Sequence, residues 1–163
     1  MWTKKTLEDF VRDKLSGYKF IIVSNRQPVV HSFQKGKIVA KRGVGGVITA
    51  LNPVIRASSG TWIASSDGDA DRQVCDPRGR CQIGDPQGGK GYTLKRLWLT
   101  KKEMEGYYYG YSNSTLWPLC HMSFKRPVFR IEDWEAYVQV NEKFADAVLE
   151  EAGEDKAFVW IQD

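Results

Sequence analysis

Apolar positions along the chain fall into two rhythms, one helical and one continuous. Leu7, Phe10, Val11 and Lys14-Leu15 recur at helical intervals and predict an amphipathic helix that stops before Gly17. Lys19-Phe20-Ile21-Ile22-Val23 is a short apolar run, read as a buried strand, and it breaks into the polar hook Ser24-Asn25-Arg26-Gln27-Pro28. Val29-Val30 and Ile38-Val39 flank Gln34-Lys35-Gly36, which predicts a hairpin or flap. A helix over residues 46–57 carries Pro53, so it is expected to kink or end early. Strands are predicted over 61–64 and 92–98, with loop and hairpin in the Gly- and Pro-containing stretch 67–91. Thr100 with Glu103 makes a capping box that starts a helix through Met104 toward Tyr108.

The clearest helix runs from 134 to 151. Its predicted buried stripe is Trp134, Tyr137, Val138, Ala145, Val148 and Leu149, with Gly153 as the stop. Ala157-Phe158-Val159-Trp160-Ile161 then lacks alternation, as expected of a strand covered on both faces, and delivers Gln162 and Asp163 at its end. The alternation of helices and strands predicts an α/β domain with a largely parallel sheet. In such folds ligands sit beyond the carboxyl ends of the strands. Arg26 and Asp163 then share that edge.

A second feature belongs with the hook. Arg42-Gly43-Val44-Gly45-Gly46 leads into Val47-Ile48-Thr49-Ala50-Leu51, the first turns of the helix with Pro53. An arginine after a strand and a glycine turn at a helix N-terminus suit an anion, because backbone N–H groups and the helix dipole face it and glycine permits close approach. The competing reading is an ordinary strand, loop and helix with turn glycines.

Composition narrows the class. The chain has 163 residues, 42% hydrophobic and 27% charged, within the range of one globular unit. No apolar run approaches ~18 residues, so no membrane span is expected. The first ten residues lack the apolar stretch and cleavage site of a signal peptide, so a cytoplasmic protein is expected. The net charge of +4 is scattered without any basic block, which argues against nucleic acid as a partner. Cys75 and Cys81 bracket a tight Asp-Pro-x-Gly turn and can face each other, so a disulfide is geometrically open; reduced thiols in a surface loop are the favoured reading, with Cys120 in the core. Zinc is disfavoured, because structural sites prefer about two to four intervening residues and two further ligands. Asp67-Gly68-Asp69-Ala70-Asp71 invites a calcium loop but has Arg72 and Arg78 where Gly and Glu are required, so it reads as an exposed polar loop. Tyr107, Tyr108, Tyr109, Tyr111, Trp117 and His121 crowd one segment, either a packed aromatic cluster or a sugar platform.

In order along the chain, Ser24-Asn25-Arg26, Gly45-Gly46, Tyr108 through Ser112-Asn113 to Leu116-Trp117-Pro118, Arg126-Pro127, the Trp134, Tyr137 and Val140-Asn141 run, and Trp160-Ile161-Gln162-Asp163 resemble the trehalose-6-phosphate synthase family. The resemblance covers the chain from Lys19 on, leaving residues 1–18 as an N-terminal helical extension. It implies a retaining glycosyltransferase of the GT-B type, with two Rossmann-like domains. It implies transfer of glucose from a nucleotide sugar, usually UDP-glucose, to the sugar phosphate glucose 6-phosphate, without a metal or other cofactor. By position, Arg26, Tyr108 and Trp117 would hold the acceptor phosphate, Asp163 the acceptor hydroxyls, and Gly45 and Gly46 the donor. No catalytic residue is assigned. Residues 19–163 would be the acceptor-side domain, incomplete and inactive alone, with the donor-binding domain absent. The family often has His where Gln162 stands, and its loop differs from Ser65-Ser66-Asp67-Gly68-Asp69. An acceptor such as glycerol 3-phosphate, a non-catalytic sugar-phosphate module and a homo-oligomer therefore stay open.

Overall fold

The computed structural model describes residues 3–84, 88 and 90–162, with only the backbone of Lys4. Two compact units emerge, one of Met1–Leu97 with Ala147–Asp163 and one of Trp98–Asp146.

The first unit is built on a five-stranded sheet. Its strands are β1 (Lys19–Ser24), β4 (Thr61–Ser65), β5 (Arg80–Ile83), β6 (Tyr92–Leu97) and β7 (Ala157–Ile161), in the order β5-β6-β4-β1-β7. β1 is parallel to both β4 and β7, β4 is parallel to β6, and only β5 runs antiparallel, on β6. The parallel α/β expectation therefore holds. Alternate residues Phe20, Ile22, Trp62, Ala64, Tyr92 and Leu94 point to one face and pack with Ile48, Leu51 and Ile55 of α2 (Gly46–Ser58) in one core. α1 (Lys4–Lys14), begun by a capping box on Thr3 and Thr6, packs against α2. The separate two-stranded hairpin of β2 (Val29–Gln34) and β3 (Lys37–Arg42) turns at Lys35 and Gly36. Their φ of 48° and 74° are the left-handed pair that a two-residue hairpin turn needs.

Two expectations are corrected here, and one alternative is decided. Of the kink or early end expected at Pro53, the early end does not occur: α2 runs thirteen residues through Pro53. Thr49, whose carbonyl loses its helical donor, and Pro53 itself are both exposed, so water can substitute for the missing bond. β7 is not covered on both faces. It is the edge strand, and Phe158, Trp160 and Ile161 are exposed, with Phe158 stacked on Phe20 at 5.7 Å. Cys81 lies buried in β5 rather than in a surface loop, although Cys75, Cys81 and Cys120 are all free thiols. The predicted tight turn between Cys75 and Cys81 is present, with Gly79 N–H donating to the Asp76 carbonyl at 2.9 Å.

The second unit begins at the expected capping box, where Thr100 and Glu103 bond each other's backbone and start α3 (Lys101–Met104). The helix continues as a wide segment, Glu105–Leu116, with i→i+5 bonding: Trp117 N–H reaches the Ser112 carbonyl, and the Ser112 and Ser114 hydroxyls donate to the carbonyls of Tyr107 and Tyr109. It ends in the single turn α4 (Trp117–Cys120). Cys120 is exposed there, against the core expectation, because α4 lies on the surface with Leu119 and His121 also exposed.

α5 (Ile131–Ala152) ends at Gly153, whose φ is 58° and whose N–H donates to the Leu149 carbonyl. Its buried line is Asp133, Val140, Phe144 and Ala147, one residue out of step with the predicted stripe, so Trp134 and Leu149 are exposed. The wide helix explains the shift: a Cβ on Gly106 would meet Ala136 at 2.6 Å and one on Gly110 would meet the Asp133 carboxyl at 2.4 Å. Close approach at two glycines four residues apart selects which α5 face is buried. Among the described residues no helix is long and apolar enough to cross a membrane.

Candidate functional site

At the carboxyl end of β1 the chain turns into the hook, and each of its first residues is held. The buried Ser24 hydroxyl accepts from Trp62 Nε1 at 2.8 Å and donates to the Arg26 carbonyl at 2.8 Å. Ser65, at the end of β4, donates to the Asn25 carbonyl through both its hydroxyl, at 2.6 Å, and its N–H, at 3.1 Å. Arg26 itself is exposed. An arginine on a pinned backbone at the sheet's carboxyl edge offers a planar donor fork to an oxyanion.

Beneath it lies a buried polar network. Gln27 is 2% exposed, and its amide donates to Asp67 and, at 2.7 Å, to Asp71 while its carbonyl accepts from Arg96 Nε at 2.7 Å. Asp71 is fully buried. Its carboxylate accepts from Gln27, from His31 N–H at 2.8 Å, from the Ser66 hydroxyl at 2.8 Å and from Gly68 N–H at 2.9 Å, and faces Arg96 Nη2 at 3.1 Å. Burial raises its pKa, but the hydrogen bonds led by Gln27 and His31 N–H outweigh it and hold the carboxyl below its usual range.

Arg96, 1% exposed, uses every donor of its guanidinium. Besides Gln27 and Asp71 it reaches the Val29 carbonyl at 3.0 Å, His31 Nδ1 at 2.8 Å, and the sulfurs of Cys75 and Cys81 at 3.2 and 3.3 Å. Burial first, and then Arg96, lower the His31 pKa, so its ring is neutral and Nδ1 is an acceptor for the guanidinium. Burial pushes the Cys81 thiol up to about 12 despite the neighbouring cation, which leaves it an unreactive thiol.

The acidic run is a loop exposed at Asp67 and Asp69, as expected, but it is buried at Ala70 and Asp71. Asp69 accepts from Phe33 N–H at 3.0 Å and Asp71 from His31 N–H, while Ala70 N–H donates to the His31 carbonyl. The run serves as a polar partner to the free edge of β2, because a strand edge leaves N–H groups that carboxylates can satisfy.

The hairpin brings the glycine turn back beside the hook. Val29 pairs with Arg42, and Gly43 N–H donates to the Pro28 carbonyl at 2.8 Å. A Cβ on Gly43 would stand 2.6 Å from the Gln27 carbonyl oxygen and 2.7 Å from Ile48 Cδ1, so glycine is required for this contact. Gly45 has φ 154° and caps α2 without a side-chain bond. The first-turn N–H groups of α2 have no intrahelical acceptor. A Cβ on Gly45 or Gly46 would meet nothing within 4 Å, so the turn faces open space.

Arg26, Gly45 and Gly46 thus belong to the first unit and Tyr108 and Trp117 to the second. Asp163 lies outside the described residues. Tyr108 is half-buried, 5.2 Å from Tyr109 edge-on, while Trp117 is exposed and stacks on His121 at 4.5 Å. Tyr111 sits between Trp134 at 5.1 Å and Tyr137 at 4.8 Å, so part of the aromatic segment is packed cluster. Sequence reasoning missed Gln27, Asp71 and Arg96. Their signal was Lys95-Arg96 between Leu94 and Leu97, two cations inside a core strand that need buried partners.

A sequence profile described as glycosyltransferase family 20 matches residues 18–163. The trehalose-6-phosphate synthase of Mycolicibacterium vanbaalenii is 38% identical over 150 residues, which are 90% of this chain and 29% of that protein. The chain therefore spans under a third of that relative's length. Among solved structures, one described as trehalose-6-phosphate from E. coli bound with UDP-2-fluoro glucose superposes with a TM-score of 0.59 at 23% identity, over 88% of this chain and 27% of that one. The UDP-forming alpha,alpha-trehalose-phosphate synthase of Burkholderia xenovorans in complex with glucose-6-phosphate gives 0.57 at 23%, over 89% and 28%. These two show the shared α/β fold of GT-B synthases. With most of its length inside the profile, the chain belongs to glycosyltransferase family 20.

Proposed function

We propose that the protein is a retaining glucosyltransferase that moves glucose from UDP-glucose to glucose 6-phosphate and forms trehalose 6-phosphate in the cytoplasm. The observation that carries this reading is the juxtaposition of a pinned, exposed Arg26 with the open glycine turn at the start of α2, joined through Gly43 and the Pro28 carbonyl. An exposed guanidinium on a held backbone suits a sugar phosphate, and a glycine turn with room before it suits the diphosphate and sugar of a nucleotide donor. The relatives' names, and the two ligands in their structures' descriptions, support a nucleotide-sugar donor and a sugar-phosphate acceptor.

In this reading Arg26 takes the acceptor phosphate, with Tyr108, Trp117 and Asp163 as further acceptor contacts and Gly45 and Gly46 on the donor side. Residues 19–163 form the acceptor-side domain. The transfer needs the two ligands held in one geometry, since positioning supplies much of the rate. The test is Arg26→Ala in the intact protein, assayed by UDP release. A lost charged hydrogen bond predicts a rise of about ten- to a hundred-fold in KM for glucose 6-phosphate with little change for UDP-glucose. Equal losses for both ligands reject the assignment. Replacing glucose 6-phosphate by glycerol 3-phosphate or by glucose in the same assay should abolish most turnover; a preference for glycerol 3-phosphate keeps the reaction class and changes the product.

A further inference from the structure

We propose that Arg96, acting with Asp71 through Gln27, is the positioning residue that sets the backbone and direction of Arg26. The proposal rests on the reading of Arg26 as the acceptor-phosphate ligand.

Arg96 lies on β6, two strands away from the hook, yet its guanidinium grips the segment immediately following Arg26 at three points. Nε donates to the Gln27 side chain, and Nη2 reaches the Val29 carbonyl and His31 Nδ1. Asp71 grips the same segment from the other side, at the Gln27 amide and His31 N–H. Gln27 therefore has its carbonyl and its amide claimed by opposite charges, so its side chain has one orientation. Upstream, the carbonyls of Asn25 and Arg26 are held by Ser65 and Ser24. The backbone of the exposed cation is clamped on both flanks, and the downstream clamp is the buried pair.

Burying two charges with so many polar neighbours is a poor route to stability, because apolar replacements of similar volume often do as well or better. What the arrangement supplies is geometry. A guanidinium spreads its donors in a fixed plane, and a lysine ammonium at the same place cannot serve Gln27, Val29 and Asp71 together.

The experiment is kinetic, in the intact protein. Arg96→Lys should raise KM for glucose 6-phosphate by about tenfold, the size of one lost charged contact, and leave KM for UDP-glucose within about twofold. In an Arg26→Ala background the same change should add almost nothing, because coupled residues are non-additive. Gln27→Asn keeps the amide but shortens its reach, and it should show the same acceptor-selective, Arg26-dependent loss; it decides the matter if Arg96→Lys does not fold. A loss shared equally by donor and acceptor, or one that adds in full to Arg26→Ala, makes the network merely structural and overturns the proposal. If Arg26→Ala itself spares glucose 6-phosphate, the phosphate assignment falls, and this inference with it. If Arg26→Ala is selective but neither network variant is, only this inference falls.

Discussion

The hook and the glycine turn touch through Gly43, yet they are built on opposite principles. The hook is over-determined: Trp62 and Ser65 of β4, Asp71, and Arg96 of β6, from three separate segments, hold residues 24–31 by hydrogen bonds. Among the described residues the turn two residues past Gly43 is held locally, by the N–H and hydroxyl of Thr49 on the Gly45 carbonyl, and Val44 and the space before Gly45 and Gly46 are open. In the proposed function the difference separates a part that presents a charge to the acceptor from a part that leaves room for the donor. Gly43 belongs with the hook, because its missing Cβ is needed for packing, whereas Gly46 lacks a Cβ that the folded chain itself could accommodate.

The largest expected break in this contrast is Arg96→Met. Removing one partner of a buried pair strands the Asp71 charge and should cost about 3–5 kcal/mol of unfolding free energy, read from a urea titration. A loss below about 1 kcal/mol would mean that the network is not holding the hook. Gly43→Ala should come next. Its Cβ meets backbone oxygen at 2.6 Å, and such overpacking predicts a loss of about 1–3 kcal/mol in the same titration.

Gly46→Ala should do the reverse. With open space and a helical first-turn position, it should leave stability unchanged or raise it by about 0.4–1 kcal/mol. With Gly46 on the donor side as proposed, KM for UDP-glucose should nevertheless rise. A fall in melting temperature that accounts for all lost turnover makes Gly46 a turn residue only.

The smallest effect is on pH dependence. His31 has a folded pKa below its unfolded value of about 6.5, so the unfolded chain binds the extra proton first. Stability should fall as pH drops from about 6.5 toward the lower folded value, and His31→Gln should flatten that limb. Asp71 is also depressed, so its contribution is present above the usual carboxylate value of about 3.9 and lost as pH falls further. A pH titration of the urea midpoint checks both. A flat profile through 6.5 and below contradicts the neutral His31 in the network.

Elements with strong local signals were legible without coordinates. β1, the Lys35-Gly36 hairpin, the Thr100 capping box and the stop at Gly153 each rest on neighbours a few residues away. Arg26 and the glycine turn were legible for the same reason. The acidic run 67–71 was not, because its partners are Gln27, His31 and Phe33, some forty residues distant. The exposure of β7 was hidden too, since an unbroken apolar run reports a hydrophobic strand but not how many strands flank it.

From the sequence alone came the alternation of strand and helix, the parallel α/β class, the hook and the glycine turn, since period, turn residues and caps act over one or two turns of chain. Tertiary structure decided which face of α5 is buried, where Cys81 and Cys120 lie, and that a buried arginine and aspartate hold the hook. Those outcomes depend on contacts between segments far apart in the chain, where close approach at a glycine or the pairing of one buried charge selects among faces that local pattern leaves equivalent.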